Sequence, residues 1–324
     1  MRIIVTGGGG FIGSHLCEVL LADGHEVTVI DNFLTGNRDN IAHLRDNSRF
    51  TLVEHDIVHP FPMDVLPSEA DAVFHLASPA SPADFVRFPL DIALINSRGT
   101  HNVLDLARGY KARYIVSSTS EAYGDPLTHP QSEEYWGNVN SVGPRACYDE
   151  GKRFTEMLSS LYVREYGLDG RIVRMFNTYG PRMNPHDGRS VPNFISQALR
   201  NEPITIYGDG KQTRSYCYVD DMVSGLIAVM FAPAQTRGMV FNVGNPDERE
   251  IGAFANIIKE LCGSQAPVEY RPPLQDDPAR RCPDITRIRT LLGWEPRIRL
   301  EDGLKRTISW FRTRLAQEVM NVPS

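Results

Sequence analysis

The chain has 324 residues, 41% of them hydrophobic and 23% charged, with a net charge of −6 at neutral pH. This composition suits a globular protein with one large core or two modest ones, and the negative balance argues against a broad nucleic-acid surface. No apolar run approaches the ~20 residues that a membrane span requires, and Met1-Arg2-Ile3-Ile4-Val5 turns into glycines too soon for a signal-peptide core. The five cysteines (Cys17, Cys147, Cys217, Cys262 and Cys282) form no C-x-x-C pair and are odd in number, which fits free thiols in a reducing cytoplasm.

In chain order, Arg2 to Thr6 reads as a short apolar strand, Gly7 to Gly10 as a turn, and Phe11 to Ala22 as a helix that Gly24 ends. Glu26 to Ile30 reads as a second strand closing at Asp31. Further buried strands are expected at Phe50–Glu54, Ala72–Leu76, Tyr114–Ser118 and Arg171–Phe176, with helices between them, among them Leu94–Arg108 and Gly151–Tyr166. Such alternation predicts an α/β fold: a Rossmann-type, doubly wound parallel sheet. After Gly180-Pro181, prolines such as Pro192, Pro203, Pro233, Pro246 and Pro267 cut the chain into shorter pieces. A division follows: a Rossmann-type domain over 1–180, also receiving part of 215–245, and a smaller C-terminal α/β lobe over 181–324. No linker separates the two, so one compact unit is expected.

Gly7, Gly10 and Gly13 form G-x-x-G-x-x-G at the first strand-to-helix turn. Glycines there allow a sharp turn, close approach of the backbone to a pyrophosphate, and packing of the helix on the strand. The helix N-terminus then offers free N–H groups and a partial positive charge to the phosphates. Asp31, about twenty residues on, accepts ribose hydroxyls and repels a 2′-phosphate, which favours NAD over NADP. Phe11 and Ile12 in the turn, Asn32 beside Asp31, Ile57 after the third strand, and Leu76 and Ala77 after the fourth complete the expected cofactor contacts. Asp56 either meets the adenine edge or is a solvated loop acid.

Tyr148 and Lys152 stand four residues apart, on one face if the segment is helical. A tyrosine titrates near 10, so a base active near neutrality needs ~4 kcal/mol of help. One positive charge at ~4 Å with an effective dielectric of ~20 supplies about that much. Thr119 ends the strand upstream and can bridge Tyr148 and a substrate alcohol. Taken alone Y-x-x-x-K is common on helix surfaces; after a dinucleotide loop and a Thr-ended strand it reads as catalytic, with Lys152 also touching the cofactor.

The sequence T-G-G-x-G-F-I-G, the Thr119 strand end and Y-x-x-x-K together resemble the extended short-chain dehydrogenase/reductase superfamily acting on nucleotide sugars. The segments His75–Pro82, Thr119–Pro126, His129–Gln131, Tyr135–Asn140, Cys147–Arg153, Phe176–Met183, Tyr207–Ser215 and Asp276–Ile285 narrow it to the UDP-glucuronate decarboxylase family, over nearly the whole chain. The resemblance implies three steps. Tyr148 takes the proton of the sugar 4-hydroxyl as hydride passes to NAD; the 4-ketone, beta to the carboxylate, loses carbon dioxide; the enolate is protonated at C5 and the hydride returns, giving UDP-xylose. Release of a 4-keto pentose stays open. Ser120, where related 4,6-dehydratases carry an acid after the threonine, weakens a dehydratase reading; a 4-epimerase and a non-catalytic NAD-binding regulator are the other rivals.

Within the same resemblance, Glu121 positions the sugar and aids proton transfer, or is a buried carboxylate bonded to the backbone. Arg214 and Arg281 are the expected diphosphate cations, since a guanidinium fork donates two parallel bonds to phosphate. Arg182 serves the sugar-phosphate rim or a surface ion pair. Asn177 touches the substrate phosphate or the nicotinamide region, Tyr207 packs on uracil or belongs to the core, and Ser78, in the proline-stiffened loop to Pro82, walls the sugar carboxylate. Cys282 and Ser141-Val142 depart from the family pattern, a basic residue being common at 282. No metal site is assigned. A homodimer through the Leu94–Arg108 and Gly151–Tyr166 helices is implied. Eukaryotic relatives often carry a membrane anchor before the glycine loop; this chain starts at the loop, so a cytoplasmic protein with no membrane partner is expected.

Overall fold

The computed structural model describes residues 1–273 and 277–320. The chain opens with β1 (Arg2–Thr6), α1 (Phe11–Ala22), β2 (Glu26–Asp31), β3 (Phe50–Glu54) and β4 (Ala72–His75). It continues through α2 (Pro82–Arg87), α3 (Pro89–Leu94), α4 (Thr100–Tyr110), β5 (Arg113–Thr119), α5 (Ala146–Tyr166) and β6 (Gly170–Met175). Then come β7 (Thr178–Tyr179), α6 (Ser190–Arg200), β8 (Ile204–Tyr207), β9 (Thr213–Ser215), β10 (Cys217–Tyr218), α7 (Val219–Met230) and β11 (Val240–Val243). The last elements are β12 (Glu248–Glu250), α8 (Ile251–Cys262), β13 (Val268–Arg271), β14 (Arg280–Arg281), α9 (Thr286–Leu292) and α10 (Leu300–Met320).

Among the described residues the main sheet has seven strands in the order β11-β6-β5-β4-β1-β2-β3, every neighbour parallel. Its central strands β1, β4, β5 and β6 are buried almost throughout because both faces are covered. In β1, Ile3 and Val5 enter the core on the α1 and α7 side, whereas Ile4 points into the core formed with α4 and α5. The strand order reverses at the β1/β4 boundary, and a ligand crevice opens at the carboxyl ends of the strands there. The sheet draws β11 from far along the chain, and α7 packs on β5, β6 and β11.

Two helices differ from their sequence reading. α5 begins at Ala146, five residues before Gly151, so Tyr148 lies within the helix. The Leu94–Arg108 helix divides into α3, a π-helical turn over Ile95–Gly99, and α4. Thr155 donates to the Asn96 carbonyl at 2.8 Å, so α5 supplies a partner to backbone that the wider turn frees.

The C-terminal portion carries small sheets: β12-β9-β14, the β13/β8 pair and the β10/β7 pair. Helices α6, α8 and α10 pack together beside them, with Tyr216 stacked on Phe254 at 4.0 Å between ring centroids. Its apolar core is continuous with that of the main sheet on the α1 side.

Candidate active site

The turn after β1 is built for close backbone approach. A Cβ on Gly13 would stand 2.2 Å from the Gly7 carbonyl oxygen, and one on Gly7, where φ is +77°, would stand 2.7 Å from the Ala77 nitrogen. Gly10 caps α1 without a side-chain bond, leaving the first helical N–H groups open to an anion. These groups face a cavity of about 760 Å³. The cavity wall brings together Gly7, Gly10, Phe11, Ile12 and Gly13 with Asp31 and Asn32, and adds Asp56, Ile57, Leu76 and Ala77. Ser78, Tyr148, Lys152 and Arg182 line the same space.

Asp31 is oriented by two backbone donors, the Gly9 and Phe33 N–H groups, each at 2.8 Å. Burial raises its pKa while those donors lower it. Asp56 accepts from the Asn32 amide at 3.0 Å and the Val58 N–H at 2.9 Å, so it is a fixed wall group. Glycine cradle, open helix end and oriented carboxylate fit a dinucleotide with a free 2′-hydroxyl.

At the other end of the cavity, Tyr148 and Lys152 are both buried. The Thr119 hydroxyl faces the Tyr148 phenol and accepts the Glu121 N–H at 3.2 Å. Phe85 stacks on the Tyr148 ring at 4.7 Å. The Lys152 ammonium donates to the Ser117 carbonyl at 2.8 Å and stands 5.8 Å from the Tyr148 ring centre. Burial pushes the Tyr148 phenol above its ordinary value, Thr119 and Arg189 pull it down, and Glu121 and Asp149 push it up. Burial also lowers Lys152 to about 7. Desolvation thus opposes the charged form of both groups, and a cation facing the phenol would favour its ionised form.

Glu121 lies beyond Tyr148, between two arginines. Arg281 donates to both of its oxygens at 2.8 and 2.7 Å, and Arg145 reaches Oε2 at 2.8 Å. Burial opposes the charge, yet the two guanidiniums hold the carboxyl well below the usual range. Arg281 on β14 is in register with Arg214 on β9, and Arg214 pairs with Asp277 at 2.9 Å. The two expected diphosphate cations thus stand side by side next to Glu121, each holding a carboxylate. Asp276, at the start of the matching segment, lies outside the described residues.

Of the remaining expected substrate residues, Arg182 and Ser78 stay on the cavity wall, whereas Asn177 and Tyr207 are not part of it. Arg182 (φ +68°) turns toward α1, pairing with Glu18 and reaching Ser14 at 3.3 Å. Asn177 follows β6, half-buried, and its carbonyl accepts the Cys217 N–H at 2.8 Å. Tyr207 ends β8 with its side chain partly exposed. Ser78 accepts from the Asn96 amide at 3.1 Å, which ties the proline loop to the π turn.

Sequence reading missed Arg145, Asp149 and Arg189. Arg145 and Asp149 flank Tyr148 at i−3 and i+1, but with the helix read from Gly151 nothing placed them at its first turn. Burial and the Glu121 charge raise the Asp149 carboxyl, and its Oδ1 has no hydrogen-bond partner among the described residues. Arg189 precedes α6 in a polar loop, bonded to Asp187, where nothing in the sequence marks it.

The profile of the NAD dependent epimerase/dehydratase family matches residues 3–244. UDP-glucuronic acid decarboxylase 1 of Xenopus tropicalis is 49% identical over 99% of this chain and 74% of its own length. UDP-glucuronic acid decarboxylase 1 of Arabidopsis thaliana is 49% identical over 98% of this chain and 71% of its own. The chain belongs to the NAD dependent epimerase/dehydratase family, on the branch of the UDP-glucuronic acid decarboxylases. Within this family, the UDP-glucuronic acid 4-epimerase of Bacillus cereus, solved in complex with UDP-glucuronic acid and NAD, superposes with a TM-score of 0.89. It is 30% identical over 97% of this chain and 100% of its own.

Proposed function

We propose that this chain converts UDP-glucuronate to UDP-xylose and carbon dioxide through a 4-keto intermediate, with NAD as a recycled cofactor. The observation that carries the reading is the near-50% identity, over almost the whole chain, to UDP-glucuronic acid decarboxylases. The arrangement of Thr119, Tyr148, Lys152 and Glu121, with Ser120 in place of an acid, supports it.

NAD, held by the glycine turn, Asp31 and Lys152, would accept the hydride from C4, return it later, and bring the positive charge that the Tyr148 phenol needs while oxidised. Thr119 and Tyr148 orient the sugar 4-hydroxyl, and Tyr148 takes its proton. Oxidation at C4 makes the carboxylate that of a beta-keto acid, whose electrons pass to an enolate as carbon dioxide leaves; the enolate takes a proton at C5, and Tyr148 gives its proton back to the C4 oxygen as the ketone is reduced. Lys152 orients Tyr148 and the cofactor ribose. Glu121, ionised between its arginines, fixes the sugar; Arg214 and Arg281 face the diphosphate, with Asn177, Tyr207 and Arg182 on the outer parts of the substrate.

A cytoplasmic homodimer belongs to the same proposal. Leu90 and Leu94 on α3 and Phe154 and Met157 on α5 are exposed, spaced to form apolar stripes on packed helices. No helix among the described residues is long and apolar enough to cross a membrane.

The deciding experiment supplies UDP-glucuronate and follows carbon dioxide and UDP-pentose. Evolution of carbon dioxide with UDP-xylose and no net NADH supports the proposal. Formation of UDP-galacturonate without carbon dioxide would overturn it in favour of an epimerase, and turnover of UDP-glucose or dTDP-glucose alone in favour of a dehydratase or another epimerase.

A further inference from the structure

Next to Arg281 in the chain, at Cys282, three side chains converge from separate segments. Cys282 is buried, His129 lies in the loop after β5, and Glu248 opens β12. One ligand atom from each lies within 4.8 Å of the other two. His129 Nε2 and Glu248 Oε2 are 3.0 Å apart. Their side chains are 21% and 19% exposed, so the imidazole and the carboxylate reach solvent while the sulfur beside them is buried.

We infer that His129, Glu248 and Cys282 form a binding site for a soft divalent cation of the zinc class. A thiolate, an imidazole and one carboxylate oxygen are a donor set for zinc or cobalt; magnesium and calcium take oxygen donors. Three protein ligands leave the fourth tetrahedral position to water.

The surroundings hold the donors in place. The Thr213 hydroxyl donates to Glu248 Oε1, which leaves Oε2 toward His129. Gln131, fully buried, accepts the Cys282 N–H at 2.8 Å and directs its own amide to the Thr128 carbonyl at 3.0 Å. Its Nε2 also lies 3.4 Å from His129 Nδ1, so the imidazole presents Nε2 to the site. Supporting bonds of this kind orient ligands and tune affinity. Arg280 stands 3.7 Å from Glu248 Oε1 and opposes a cation; the Cys282 thiol donates to the Pro246 carbonyl at 3.4 Å and would give up that proton when the ion binds. Because β9 lies between β12 and β14, an ion here would clip together the small sheet that carries Arg214 and Arg281.

Cobalt(II) added to the purified full chain tests the site. The expected result is a thiolate-to-cobalt charge-transfer band that zinc(II) abolishes, that Cys282→Ser eliminates, and that Cys262→Ser leaves intact. His129→Gln, at a partly exposed position, should weaken zinc binding by about 100-fold or more, since even outer-shell losses cost 10–100-fold. Absence of the band in the wild type, its survival in Cys282→Ser, or unchanged zinc affinity in His129→Gln overturns the inference.

Discussion

Arg281 and Glu121, 160 residues apart in sequence, meet through two parallel hydrogen bonds of 2.8 and 2.7 Å. Arg145 completes the arrangement from the helix that carries Tyr148. The folded-state pKa of Glu121 lies below its unfolded value of ~4.3. Its stabilising contribution is therefore complete above that value and disappears as pH falls through the lower, folded one. Arg145→Ala removes one cation and raises the Glu121 carboxyl. The acid limb of kcat/KM should move up in pH, with a stability loss of about 1.5–3 kcal/mol, and Arg145→Lys should restore much of both. A pH–rate series from about pH 4 to 7 and a denaturant titration check this; an unmoved acid limb would show that Arg145 does not act through Glu121.

Tyr148→Phe keeps the ring against Phe85 and removes the proton acceptor. Turnover should fall by about 10²–10⁴-fold or more while NAD stays bound. Steady-state rates together with cofactor content of the purified variant decide the matter, and retained activity would mean that another group is the base.

Lys152 sits buried with its pKa lowered to about 7. Between that value and the unfolded ~10.4, the unfolded chain binds more protons, so this group makes stability rise with pH across that window. Below it the cost of the buried charge is constant and complete. Lys152→Met should abolish turnover, raise Tm near neutrality and flatten this part of the pH dependence. Melting curves of both proteins from about pH 7 to 9 measure it; a steeper slope in the variant would contradict the account.

Gly13→Ala places a methyl 2.2 Å from a backbone oxygen, where no flexible side chain can yield. The turn must open, and with it the cradle for the pyrophosphate. The purified variant should carry little or no NAD, as absorbance after denaturation would reveal. Full occupancy would mean that the turn adjusts without loss.

Six of the seven strands of the main sheet were legible because their evidence is local; β11 was not read as a strand, only as part of a returning segment over 215–245. The reading of Phe11–Ala22 agrees with α1 residue for residue, since glycines bound it on both sides. The start of α5 was hidden: its N-cap is Arg145, without the Ser, Thr, Asp or Asn that marks a helix beginning, and Gly151 in its interior imitates a boundary. The π turn at Ile95–Gly99 depends on partners from α5, which periodicity does not register. Resemblance singled out Glu121, Arg214 and Arg281 separately. That one arginine grips the acid while the other holds Asp277 depends on strand pairing across distant segments, which no spacing encodes.

The pairing of β14 with β9 gives the Arg280-Arg281 doublet a meaning of its own. A strand displaced by one position turns each side chain to the opposite face. Displacement in one direction would set Arg280 opposite Arg214, and the inward charge would survive the error. Displacement in the other would set Cys282 there, and Glu121 would lose its bidentate partner to a neutral thiol. Length changes before Arg280 are thus unequal in effect: one sign is buffered by the duplicated arginine, and the other disarms the site.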